Sequence, residues 1–230
     1  MKRVKKIPVL AFMLLAITQS GSAQLSLGVV LGVNSSNLNV VGVDQPIAVP
    51  LPTGGDAQGS FTSRTAFAIG GVAEYYFSPM VGLSVQPTYS QQGGKFVFDD
   101  PVVNPLNAEA TTKLSYVDIP VMLKVHVGSS SVRPYLMSGL SLGFLTSAKS
   151  VAGGEEKNIK DSIKSTNSSW SIGGGLNLPA AGNTVFIEGR YSWGLTNINE
   201  GPQVQPLSAT TELETKGFQF VVGVTFPVGG

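Results

Sequence analysis

From residue 114 to residue 127 the chain carries two different sequences, one on each parity. The odd positions Val117, Ile119, Val121, Leu123, Val125 and Val127 are all apolar and mostly β-branched. The even positions Tyr116, Asp118, Pro120, Met122, Lys124 and His126 are mixed and largely polar. Successive side chains of a strand point to opposite faces, so this alternation predicts a strand with one apolar and one polar side. The run also reaches the roughly 9–11 residues that a tilted strand needs to cross a bilayer. A soluble sheet with one face on a core would alternate in the same way. Recurrence of the pattern, and what precedes it, separate the two cases.

The pattern recurs eight times, over residues 24–34, 64–77, 81–92, 114–127, 132–145, 169–178, 184–195 and 216–226. The first segment sets Leu25, Leu27, Val29, Leu31 and Val33 against Ser26, Gly28, Gly32 and Asn34. The last sets Phe218, Phe220, Val222, Val224 and Phe226 against Gln219, Gly223 and Thr225. Connections alternate in length. Residues 78–80, 128–131 and 179–183 are short, whereas 35–63, 93–113, 146–168 and 196–215 are long. Short turns at one rim and long loops at the other predict an all-β, eight-stranded antiparallel up-and-down transmembrane β-barrel. An even strand count places both termini at the short-turn rim, facing the periplasm, with the long loops extracellular. Tyr75, Phe77 and Phe226 fall near that rim, and Tyr89, Trp170, Tyr191 and Trp193 fall towards the loops. Two aromatic belts of this kind are expected where rings meet headgroups.

The N-terminus predicts export. Lys2, Arg3, Lys5 and Lys6 precede a short apolar stretch over 7–17, and Gly21-Ser22-Ala23 is small at both positions read by a signal peptidase. Residues 1–23 are therefore expected to be a cleaved signal peptide and 24–230 an outer-membrane β-barrel domain. About 11 apolar residues are too few for a spanning helix, which needs about 20. Removing four bases leaves 11 against 14 acids, a net charge of −3. A slightly acidic chain lacks the concentrated basic face that nucleic acid requires. The sequence contains no cysteine, so neither a disulfide framework nor thiolate chemistry is available.

A soluble, lipocalin-like barrel with the same strand count would turn its uniform apolar face inward. Here the more polar face is also the glycine-rich one. Glycine and serine suit the crowded interior of a narrow eight-stranded barrel, whereas a surface in water would carry more lysine and glutamate. The membrane barrel is the expectation.

Four stretches resemble the porin-type outer-membrane β-barrel domain of Gram-negative bacteria: YVDIPVMLK over 116–124, RPYLMSGLSLGFL over 133–145, FIEGRYSWGLTNI over 186–198 and LSVQPTYSQQGGK over 83–95. With the signal and the final aromatic strand, the resemblance covers essentially the whole mature chain. It implies residence in outer-membrane lipid and delivery by the outer-membrane assembly machinery through the last strand, with Phe226 as the near-terminal aromatic. The trailing Pro227-Val228-Gly229-Gly230 departs from the family's usual terminal aromatic. The name "porin family" does not by itself establish a pore.

The inward charges form the one constellation with chemistry to weigh. Glu74, Lys124, Arg133, Glu188 and Arg190 are expected at similar depth near the short-turn rim, with Asp118 and Arg64 higher. Buried ions need partners, so a lumenal salt-bridge layer is expected; a selectivity ring in a narrow pore for ions or very small solutes is the alternative. No catalytic residue, metal site or cofactor is expected. The single histidine, His126, falls by the short turn, away from outer-leaflet lipid. One histidine without cysteine makes a poor transition-metal ligand set. Gly173-Gly174-Gly175 is not followed by a helix and so is not a phosphate cradle. The expected role is a small barrel with a largely packed polar lumen. Its exposed loops would act in envelope structure or meet an extracellular or envelope partner.

Overall fold

The computed structural model describes residues 24–43, 45–50, 56–99, 109–128, 131–201 and 211–228. The expected signal peptide and its cleavage point lie outside the described residues. The strands are β1 (Gln24–Val40), β2 (Ile47–Pro50), β3 (Asp56–Tyr76), β4 (Val81–Val85), β5 (Thr88–Phe98), β6 (Glu109–His126), β7 (Arg133–Ala152), β8 (Glu155–Asn158), β9 (Thr166–Ala180), β10 (Asn183–Gly194) and β11 (Leu213–Val228). Each long strand pairs antiparallel with its neighbours, and β1 pairs with both β3 and β11. β4 and β5 share one place in the ring, each lying between β3 and β6. The ring therefore closes on eight wall strands, with β2 and β8 as short additions on β3 and β7. Closure leaves no free edge, the condition for a sheet to survive where no water can satisfy backbone groups.

The apolar parity faces outward throughout the membrane zone. Leu31 is 62% exposed, Leu136 66% and Leu140 59%, while Glu188, Lys124 and Gln86 on the other parity are buried. Such exposure of leucine along a continuous sheet makes sense only against lipid.

Three features depart from the sequence reading. The third segment is broken at Gln86-Pro87, because proline cannot donate to a ladder. Pro87 does accept from Gly71 N at 3.0 Å, and Gln86 N donates to Pro120 O at 3.1 Å, so the break stays tied to both neighbours. The second departure concerns the long connections, which are largely strand rather than loop. β1 runs on to Val40, β3 begins at Asp56, β6 at Glu109, and β7 reaches Ala152. The wall thus rises past the apolar band by about 15 Å, taking Asn34 to Val40 at about 3.3 Å per residue with strand tilt. Here the polarity of the two faces inverts. Outward positions become Ser35, Asn37 and Asn39, and inward positions become Leu38 and Val40, both buried.

The third departure is an apolar interior at that end. Leu38, Val40, Phe61, Phe96, Leu114, Tyr116, Leu145, Ala148 and Leu213 converge inside the extended wall. Ile159, Ile163 and Ile198 fold in from the connecting segments and join them. Phe61 and Phe96 meet edge to face at 5.1 Å, a preferred aromatic geometry. Register shifts at Ser63/Ala68 and Ser115/Tyr116 re-aim the wall strands below this cluster. A bulge of that kind moves later residues to the opposite face: Phe61 is buried on odd parity and Ala68 on even.

The two faces of β6 are directly comparable by mutation. Val121→Arg, placing a charge in lipid, is expected to cost about 2–4 kcal/mol. Met122→Leu, a volume-conserving change on the inward face, is expected to cost less than about 1.5 kcal/mol. Urea refolding titrations in lipid vesicles compare the two, and the reverse order would put the wrong face in lipid.

Candidate functional site: the lumen and its charge layer

The inward residues of β6 read as a depth scale. His126 lies nearest the short turns, followed by Lys124, Met122, Pro120, Asp118, Tyr116 and Leu114. Four zones follow in that order. At the short-turn mouth is an open cavity of about 590 Å³, bordered by Ser26, Glu74, Tyr76, Arg133, Asn177 and Thr184. Next comes a packed ionic section, then a polar cavity of about 60 Å³ among Ser90, Gln92, Asp118, Ser171 and Arg190. The apolar interior described above occupies the far end.

Lys124 is the centre of the ionic section. Its Nζ lies 2.5 Å from Glu74 Oε1 and 2.5 Å from Glu188 Oε1. The same ammonium sits over the rings of Tyr135 and Phe186, at 4.6 and 4.8 Å from their centroids, so two aromatic faces add cation–π attraction. Each carboxylate has further donors. Tyr76 Oη donates to Glu74 Oε2 at 3.1 Å, and Tyr135 Oη donates to Glu188 Oε1 at 2.9 Å. Gln86 Nε2 donates to Glu188 Oε2 at 3.0 Å. Gln86 Oε1 in turn accepts from Arg190 Nη1 at 2.9 Å, and Arg190 Nε donates to Gln219 Oε1 at 2.5 Å. Gln86 thus couples Arg190 to Glu188. Two acids and two bases sum to zero, the arrangement that lets charge be buried without forcing neutralisation.

Inward glycines make room for the rings. A Cβ at Gly175 would lie 2.5 Å from the Tyr135 ring, and one at Gly82 would lie 2.6 Å from that of Tyr76. Either side chain would displace a tyrosine that holds a carboxylate.

The expected charged residues are only partly gathered. Glu74, Lys124 and Glu188 meet directly, and Arg190 joins through Gln86. Asp118 stands higher, accepting from Gln92 Nε2 at 2.9 Å, while Arg64 donates to the Gln92 carbonyl at 2.8 Å. Arg133 lies apart at the mouth, where Nη2 donates to Pro79 O at 3.0 Å; the first residue of its strand is too close to the rim to reach the layer. Gln86, Tyr76 and Tyr135 complete the network and were not singled out by charge. Their signal was parity, since Gln86 and Tyr135 occupy inward positions and Tyr76 shares the face of Glu74.

The packing decides what the section can do. Glu74, Lys124, Glu188, Gln86, Met122, Tyr135 and Phe186 are each 2% exposed or less. The polar cavity beyond has room for about four waters at roughly 15 Å³ each. Among the described residues, no group of three or more His, Asp or Glu side chains gathers to hold a metal ion.

A family model described as outer membrane protein beta-barrel domain matches residues 18–200. No curated protein matches the sequence. Among solved structures, the outer membrane protein OprG of Pseudomonas aeruginosa is 9% identical, with 90% of this chain and 97% of that chain covered and a TM-score of 0.50. Neisserial surface protein A is 16% identical, covering 87% and 97%, with a TM-score of 0.45. The outer membrane protease OmpT of Escherichia coli is 13% identical, covering 93% and 100%, with a TM-score of 0.47. At these identities the likeness is one of fold.

Lys124→Met leaves two buried carboxylates without their ammonium and is expected to destabilise the barrel by about 3–5 kcal/mol. Adding Glu74→Gln and Glu188→Gln to that variant is expected to restore at least half of the loss. Refolding titrations of both variants in vesicles test this. Near-neutral behaviour of Lys124→Met would mean that the site is hydrated.

Proposed function

This chain belongs to the outer membrane protein beta-barrel domain family, and we propose that within it the protein is a closed barrel working through its exposed end. The single observation that carries this reading is the ionic section, where Glu74, Gln86, Lys124, Tyr135, Phe186 and Glu188 are each 2% exposed or less. An ion crossing it would have to break the Lys124 contacts to Glu74 and Glu188, and these charges are not solvated by a water column. The apolar interior beyond, led by Leu38, Phe96 and Leu114, is a second barrier to solutes.

The working surface is the wall that rises past the apolar band, together with the β7–β8 hairpin. Its polar exterior carries Lys113, Lys149 and Glu156. Glu156 lies 2.5 Å from Lys149 and 3.7 Å from Lys113, and the Lys149 hydrogen bond holds its carboxyl below the usual range. We place this end outside the cell, in contact with an extracellular or envelope partner, and both termini in the periplasm. Residues 1–23 act as a cleaved signal peptide, and residues 24–230 form the barrel domain. The last strand, with Phe226 turned outward and 48% exposed, is the segment offered to the assembly machinery. The reading includes no catalysis. The one histidine is buried at the opposite end, where His126 Nε2 is 3.1 Å from Asn177 Nδ2, far from any outer-leaflet substrate.

Refolded protein in planar bilayers is expected to give no steady unitary current. Reproducible unit conductance, altered in ion selectivity by Arg190→Met, would replace the closed barrel with a narrow pore. Orientation has a separate check. A cysteine replacing Glu155 is expected to label from outside whole cells, and one replacing Ala181 only after the outer membrane is opened. Surface labelling at Ala181 would invert the topology.

A further inference from the structure

We propose that the outward face of β9, β10, β11 and β1, at the end away from the short turns, binds the phosphorylated headgroup of an outer-leaflet glycolipid. The leaflet follows from the orientation given under the proposed function, on which this inference rests. Register brings the parts together. Trp170 of β9 lies opposite Trp193 of β10, and Trp193 lies opposite Lys216 of β11. Trp170 is 40% exposed and Trp193 39%, and Lys216 shares the outward parity of Phe218 and Phe220. Lys216 therefore stands level with the aromatic belt, at the depth where headgroups lie.

The patch is rich in donors. Lys216 Nζ donates to Asn39 Oδ1 at 2.9 Å, and among the described residues no carboxylate lies within ion-pair distance of it. Other outward lysines of the wall differ: Lys95 pairs with Glu109, and Lys113 and Lys149 share Glu156. Glu214 has the outward parity of Lys216 but lies two residues farther from lipid, about 7 Å along the strand. Asn39 Nδ2 has no acceptor among the described residues and is open to the exterior. Trp193 Nε1 likewise has no acceptor among them.

A phosphate monoester matches this set. Its ionised oxygens accept hydrogen bonds, and it brings the negative charge that Lys216 lacks. The rings select what the phosphate is attached to. Trp170 and Trp193 stack at 5.0 Å, and Tyr191 meets Trp193 edge to face at 4.6 Å. Three rings packed in preferred geometries form a fixed apolar shelf beside the ammonium. The C–H face of a sugar ring can lie on such a shelf, whereas a glycerol headgroup has no flat face to offer. Lysine and rings together therefore favour a phosphorylated sugar over a glycerophospholipid.

Trp170 and Trp193 are the two tryptophans of the chain, so intrinsic tryptophan fluorescence reports on this patch alone. The refolded full chain in phosphatidylcholine vesicles is titrated with lipid A, a phosphorylated glucosamine disaccharide lipid. A saturable emission change is expected, half-complete at a mole fraction about tenfold lower than for lipid A stripped of its phosphates or for phosphatidylglycerol. Lys216→Gln is expected to erase that advantage, and Lys95→Gln, on another part of the wall, to keep it. If Lys216→Gln does not fold, the two forms of lipid A compared on the unaltered protein decide alone. Equal titrations with the two forms, no saturable change, or an unaltered advantage in Lys216→Gln would overturn the inference. Phosphatidylglycerol binding as well as lipid A would also overturn it, in favour of a general anionic-lipid belt. The vesicle titration depends neither on conductance nor on orientation in the cell, so its failure is distinguishable from failure of the proposed function.

Discussion

A sheet in hydrocarbon has no water to satisfy its backbone, so it must close on itself, and closure dictates the rest of this molecule. Once β1 pairs with both β3 and β11, every wall residue is committed to lipid or lumen by its parity. Apolar side chains that would form the core of a soluble protein are spent on the outside. The lumen inherits whatever the other parity carries. In an eight-stranded ring that space is only wide enough for side chains, so polar residues must satisfy one another there.

The charge layer solves that problem locally. Lys124 alone answers two carboxylates, and Tyr76 of β3, Tyr135 of β7 and Gln86 at the Gln86-Pro87 break supply the remaining donors. A buried ion network of this kind is weak evidence for extra stability, since desolvation offsets most of the attraction. Its stronger consequence is specificity. A one-residue slip of β6 or β10 would turn Lys124 or Glu188 into lipid and leave the other unpaired, so the layer fixes strand register around the ring.

The centres of the wall strands, apart from the one broken at Gln86-Pro87, were legible in the sequence because lipid imposes a strict period of two. The strand ends were not. In β1 the inward face changes from Asn34 and Ser36 to Leu38 and Val40 just where the outward face changes from Val33 to Ser35 and Asn37. A reading that follows one parity of apolar residues stops at Asn34. The inversion is itself physical, marking where the wall leaves lipid for water and where the lumen becomes the drier side. The charge layer was legible in kind, since Glu74, Lys124, Glu188 and Arg190 share the inward parity. Which of them touch depends on register across strands, and sequence carries no direct record of it. That is why Arg133 reads like its neighbours but lies at the mouth, and why Gln86, beside a proline, is the link between Arg190 and Glu188.

The central claim is that Lys124 is held in a packed, water-poor section between two carboxylates. Hydrogen exchange of its ammonium group tests this most directly, using protein labelled at lysine Nζ and refolded in lipid. The account predicts one lysine signal with exchange far slower than the surface lysines, lost in Lys124→Met. A Lys124 ammonium exchanging as fast as those of Lys113 and Lys149 would contradict it and mean that water reaches the middle of the barrel.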